Sequence, residues 1–153
     1  MELLFEKKRQ RQVVIFIGLQ ASGKSSFYHR YLTDYVHINL DTLRSRSCER
    51  SLMEKCFSEG RSFVVDNTNP ERTDRQRYIP AAVEQGYEVI GIYFQSILKD
   101  CIKRNEKREN RVPEVALPST SKKMALPSYD EGYDKIFYVS MTENDFQMVE
   151  WRD

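Results

Sequence analysis

The 153-residue sequence predicts an α/β domain, with a central, mostly parallel sheet of five strands flanked by helices. Three observations point to it. Five short apolar runs recur along the chain. Polar segments with apolar residues at helical spacing separate them. The apolar content of 40% suffices for one core, since a chain of this size buries roughly 70% of its unfolded surface. A single domain over residues 1–153 is expected, with no second one required.

The first run, VVIFIG at 13–18, is continuously apolar, as a strand covered on both faces must be, which places it in the middle of the sheet. A helix follows, with Phe27, Arg30 and Tyr31 at helical spacing. YVHIN (35–39), SFVVDN (62–67), YEVIGIYF (87–94) and KIFYVSM (135–141) supply the other four strands. Between the third and fourth, Asn69-Pro70-Glu71 reads as a helix start, with Asn69 as N-cap and Pro70 at the first helical position, and Gln85-Gly86 as its stop. Pro80 is expected to kink that helix. Residues 112–134 hold three of the five prolines, so irregular structure or a short mobile helix is expected there. The tail TENDFQMVEWRD carries Phe146, Met148, Val149 and Trp151, which are expected to pack on the core rather than between subunits.

A formal charge of +1 rules out a global field of the kind that coats nucleic acid or a membrane, so any polyanion recognition is local. Cys48, Cys56 and Cys101 are odd in number, lack metal-ligand spacing and do not cluster with His29 or His37, which suggests reduced thiols in a cytoplasmic protein. No 18-residue apolar run exists, and Met1 to Phe5 is too short for a signal-peptide core. KKRQR at 7–11 reads as a solvated approach to the first strand.

Gly18-Leu19-Gln20-Ala21-Ser22-Gly23-Lys24-Ser25 matches G-x-x-x-x-G-K-[ST], between a buried strand and a helix, where that pattern has mechanical meaning. The glycines let successive N–H groups turn inward. The amides of Gly18, Ala21, Ser22, Gly23, Lys24, Ser25 and Ser26 can then cradle phosphate oxygens at a helix N-terminus, while Lys24 bridges the outer phosphates and Ser25 ligates Mg²⁺. Binding of ATP, or another NTP, with Mg²⁺ is the expectation. Asp66 ends the third strand, where a carboxylate can support the metal; it can equally form a hydrogen-bonded turn with Asn67 and Thr68.

Asp41 follows the second strand, at the edge where ligands of open α/β sheets bind. A carboxylate there can orient an acceptor hydroxyl and take its proton, or cap a helix beginning at Thr42. Arg44 lies three residues on and can reach the same acceptor. Arg104, Arg108 and Arg111 in RNEKRENR fall on one face if the segment is helical. They are read as a clamp for donor phosphates, against the alternative of a solvated charged face.

These residues together resemble the kinase domain of the 5′-hydroxyl polynucleotide kinase family, within the wider P-loop kinase group. The resemblance rests on GLQASGKS, Asp41 followed by Arg44, VVDNTNP, the three arginines, and the VPEVAL and EGYDKI stretches. It implies a P-loop NTPase/kinase fold with a C-terminal arginine-bearing lid over roughly 96–128. It further implies a phosphotransferase that moves the γ-phosphate of ATP to 5′-hydroxyl ends of DNA or RNA. Asp41 would be the general base and Arg44 would contact the acceptor's phosphate. Lys24, Arg104, Arg108 and Arg111 would hold donor phosphates, and Ser25 and Asp66 the metal. Gln20-Ala21 replaces the Pro-Gly pair of many such kinases, and Ser26 replaces Thr. Two other functions fit the same motif: a kinase of a small metabolite, and a nucleotide-binding module without catalysis. No oligomeric state can be read from the sequence.

Overall fold

A computed structural model of the chain describes residues 1–9 and 11–153; Gln10, inside the KKRQR stretch, lies outside them. The sheet has six strands rather than five, β1 (Gln12–Ile17), β2 (Val36–Ile38), β3 (Phe63–Val65), β4 (Glu88–Phe94), β5 (Lys135–Met141) and β6 (Phe146–Glu150). They lie in the order β2-β3-β1-β4-β5-β6. All pairings are parallel except β5 with β6, a hairpin in which Val139 faces Met148. β1 sits between β3 and β4, as its unbroken apolar run predicts, and each of its six residues is buried.

The sixth strand is the tail. Phe146 and Met148 turn inward while Gln147 and Val149 stay exposed, the period-two alternation of an edge strand with one covered face. The inward pair joins the core on the α1 side of the sheet, with Phe16, Phe27 and Phe94. The second core, on the opposite face, holds Ile15, Phe63, Tyr78 and Ile136.

Among the described residues, seven helices accompany the strands: α1 (Lys24–Tyr31), α2 (Leu40–Leu43), α3 (Arg46–Glu59), α4 (Arg72–Arg75), α5 (Ile79–Glu84), α6 (Leu98–Glu106) and α7 (Ala116–Lys123). The expected single helix from Pro70 to Gln85 is instead two short ones. Pro80 stands in the first turn of α5, where its missing N–H costs nothing, so it starts a helix rather than kinking one. Glu71, not Asn69, caps α4, through a reciprocal capping box with Asp74. Asn69 has a left-handed backbone (φ 45) and is buried, its Nδ2 donating to the Phe16 carbonyl at 2.9 Å. Its side chain stitches the β3 exit to β1, so it is unavailable as a cap. Arg75 is fully buried in a salt bridge with Glu131 at 3.0 Å. Within 112–134, α7 and a 3-10 turn at Tyr129–Glu131 provide regular structure.

Candidate active site

The loops leaving β1, β2 and β3 meet α6 around a cleft of about 930 Å³. Parallel strands force this: each C-terminal end opens on the same edge, so residues 18–25, 39–44 and 66–68 converge although they are distant in sequence. Lys24, Ser25, Ser26, Asp41, Arg44, Asp66, Arg104 and Arg108 all line the cleft, together with Ala21 and Gly23.

The phosphate loop is tightly built. A Cβ at Gly18 would come within 2.7 Å of Ser22 Oγ and 3.0 Å of Phe94 Cβ, so only glycine lets the loop close over β4. Gly23 combines φ +101 with Phe146 and Met141 at 3.1 and 3.2 Å from a would-be Cβ; the β5–β6 hairpin braces the loop from behind. Gly18 and the buried Ser22 do not line the cleft.

Lys24 is buried, its Nζ donating to the carbonyls of Gly18 and Leu19 at 3.0 and 2.7 Å. Burial pulls its pKa from 10.5 down to about 8, against the opposing pull of Asp66.

Asp66 is 2% exposed and spends one oxygen twice. Its Oδ2 accepts from Ser25 Oγ at 2.7 Å and lies 2.7 Å from His37 Nε2. The simple turn with Asn67 and Thr68 is therefore not what holds this carboxylate. His37 carried no sequence signal, because its role depends on β2 lying beside β3. Its ring stacks on Tyr28 at 4.0 Å, which fixes the imidazole against α1.

Asp41 is exposed, and its carboxylate has no hydrogen-bond or ion-pair partner among the described residues. It is not the cap of the following helix: α2 begins one residue earlier, at Leu40, and Asn39 caps it by accepting from the Thr42 amide at 3.2 Å. Arg44 closes the same turn in a left-handed conformation (φ 66), a strained geometry for a non-glycine residue that turns the chain sharply into α3.

The three arginines of RNEKRENR do not share a helical face. α6 ends at Glu106, because the buried Asn105 reaches ahead and takes both backbone groups of Val112, at 2.8 and 3.0 Å. The chain must double back to meet it. Arg104, still helical, donates Nε to the Ala21 carbonyl at 2.7 Å. Arg108, on the turn beyond, reaches the cleft and Arg111 does not. Gln20 adds a second tie, donating to Thr120 on α7 at 3.0 Å.

A family model described as an AAA domain matches residues 13–127. A bifunctional polynucleotide phosphatase/kinase named from Acanthamoeba polyphaga mimivirus is 32% identical over 140 residues, covering 85% of this chain and 33% of its own length. Its counterpart from Schizosaccharomyces pombe is 28% identical, covering 86% and 34%. The chain thus spans about a third of the length of these curated relatives. Among solved structures of similar fold, a chain of the Pnkp1/Rnl/Hen1 RNA repair complex has a TM-score of 0.64 at 17% identity, over 80% of this chain and 47% of that one. A sugar kinase from Janibacter sp. has 0.63 at 18%, over 84% and 85%. Among the described residues, no helix is long and apolar enough to cross a membrane. With the family model spanning well over half of the sequence and the phosphate loop built as described, the chain belongs to the AAA-domain family.

Proposed function

We propose that the chain transfers the γ-phosphate of ATP to a 5′-hydroxyl end of DNA or RNA, with Asp41 as general base. The observation that carries this is the state of Asp41. It shares the cleft with Lys24 and Ser25, and capping, the structural duty that would explain an aspartate there, falls to Asn39. The names of the two curated relatives support a nucleic-acid acceptor.

In this reading Asp41 takes the proton of the acceptor hydroxyl. That oxygen bonds to the γ-phosphorus as the bond from phosphorus to the β–γ bridging oxygen breaks, and ADP leaves. Lys24 releases the Gly18 and Leu19 carbonyls to meet the incoming phosphates. Arg104 and Arg108 face the transferred group from α6 and the turn after it. Arg111 lies off the cleft wall, so its share in a donor clamp requires movement of residues 107–112. Arg44, which lines the same cleft, would hold the acceptor's first phosphate. Residues 96–128, which carry α6 and α7, would serve as the lid.

The hydroxyl of Ser25 and the carboxylate of Asp66, 2.7 Å apart, suit a hard divalent cation such as Mg²⁺, which keeps water and substrate oxygens and needs few protein ligands. When bound, such an ion would neutralise charge on the phosphates. His37 keeps Asp66 in place for it.

The test offers γ-labelled ATP with Mg²⁺ to a panel of 5′-hydroxyl DNA and RNA oligonucleotides, nucleosides and sugars. Label on oligonucleotide ends is the expected result. Label only on a small acceptor would assign a metabolite kinase, and ATP binding with no labelled acceptor would contradict phosphoryl transfer.

A further inference from the structure

We infer that Glu49, a buried carboxylate on α3, is a positioning residue that sets the orientation of Asp41 through Asn67; the inference rests on the kinase reading above.

The geometry begins at α2. This helix is a single turn of four residues, too short to hold itself in place, yet it carries Asp41. Its first amide, Leu40 N–H, donates to Asn67 Oδ1 at 3.0 Å. The other half of the same amide group, Asn67 Nδ2, donates to Glu49 Oε2 at 3.0 Å and lies 3.3 Å from the Tyr78 hydroxyl. Glu49 is 4% exposed, and its carboxylate also accepts from Tyr78 at 3.0 Å and from Arg46 at 2.9 Å.

An asparagine amide can flip by half a turn, exchanging donor and acceptor at little steric cost. An ionised carboxylate only accepts, so Glu49 admits one of the two orientations: Nδ2 toward itself, and therefore Oδ1 toward Leu40. A glutamine in its place would admit both at this end, leaving the Leu40 N–H, itself only a donor, alone to favour one of them. Tyr78 and Arg46 fill the remaining acceptor sites and keep Glu49 from turning toward water. Glu49, Tyr78 and Arg46 touch no nucleotide in the proposed mechanism; their effect passes through the peptide next to Asp41. A small misplacement of a general base lowers rate far more than binding.

Three variants test this against wild type: Glu49→Gln, Asn67→Asp and the two combined. Glu49→Gln removes the charge that holds the Asn67 amide from its far end and leaves only the Leu40 N–H to oppose a flip, and kcat for acceptor phosphorylation should fall ~10-fold, with KM for ATP and acceptor moving less than ~3-fold. Asn67→Asp sets two carboxylates against each other, and kcat should fall ~100-fold. In the combined variant the amide introduced at position 49 donates to the carboxylate introduced at position 67, which still accepts from Leu40. Its kcat should recover to within ~5-fold of wild type, a reversal that general destabilisation does not produce.

Hydrogen exchange at the Leu40 amide reads the same geometry with no acceptor present. It should quicken in both single variants and slow again in the pair. Unchanged kcat and exchange in the single variants, or a pair no better than Asn67→Asp alone, would overturn the inference. If wild type labels no acceptor, the proposed function falls and the Leu40 exchange decides the positioning role by itself. Should Asn67→Asp fail to fold, Glu49→Gln carries both readouts.

Discussion

Removing a lysine ammonium from water weakens its hold on the proton, and at Lys24 burial brings the pKa down from 10.5 to about 8. Unfolded, the same side chain stays protonated to its ordinary value. Between pH 8 and 10.5 the unfolded chain therefore binds more protons than the folded one, and stability contributed by this residue rises with pH across that window. Below it both states are charged and the burial cost is felt in full. Chemical unfolding of the nucleotide-free protein should show wild type gaining on Lys24→Met between pH ~7.5 and ~9.5, on either side of that pKa. Parallel curves would contradict it. Lys24 and Asp41 were legible because a fixed spacing or the end of a strand announced them. His37, Asn39 and Glu49 were not, because each acts on a residue elsewhere in the chain: His37 and Asp66 lie 29 positions apart.

Elements are held by the same long-range logic. Phe27 on α1 meets Phe16 and Phe94 edge-on, and Phe146 of β6 at 5.2 Å between ring centroids. The last strand thereby clamps the helix that starts at the phosphate loop, and it also stands behind Gly23. Phe146→Ala should cost about 3 kcal/mol in urea unfolding and weaken ATP binding as well, because the loop loses its backing. Lost stability with unchanged ATP affinity would show that the hairpin supports the core alone. Strands β1 to β5 were readable from their apolar runs. β6 was read only as apolar packing, since Val149 and Trp151 blur the alternation of Phe146 and Met148. The α6 boundary was misread for a different reason: arginine spacing describes a helix only while the helix lasts, and the side chain of Asn105 ends it by capturing Val112.

At the scale of the whole molecule, one sheet edge gathers the chemistry. β1 delivers the phosphate loop, β2 delivers Asn39 and Asp41, β3 delivers Asp66 and Asn67, and α6 adds Arg104 from across the cleft. The order β2-β3-β1 places the acceptor-side turn two strands from the phosphate loop, with Asp66 between them. In the proposed mechanism, donor, metal and acceptor positions would then follow from strand order. The near-neutral charge of +1 is compatible with the proposed transfer to one end of a polymer, which would need few phosphates neutralised. The measurement that bears most directly on this account is single-turnover transfer from γ-labelled ATP to a 5′-hydroxyl oligonucleotide by wild type and by Asp41→Asn, with ATP binding followed in parallel. A rate loss of about 10³-fold or more with ATP affinity within roughly 3-fold of wild type is predicted. An Asp41→Asn protein that labels the oligonucleotide at the wild-type rate would contradict it.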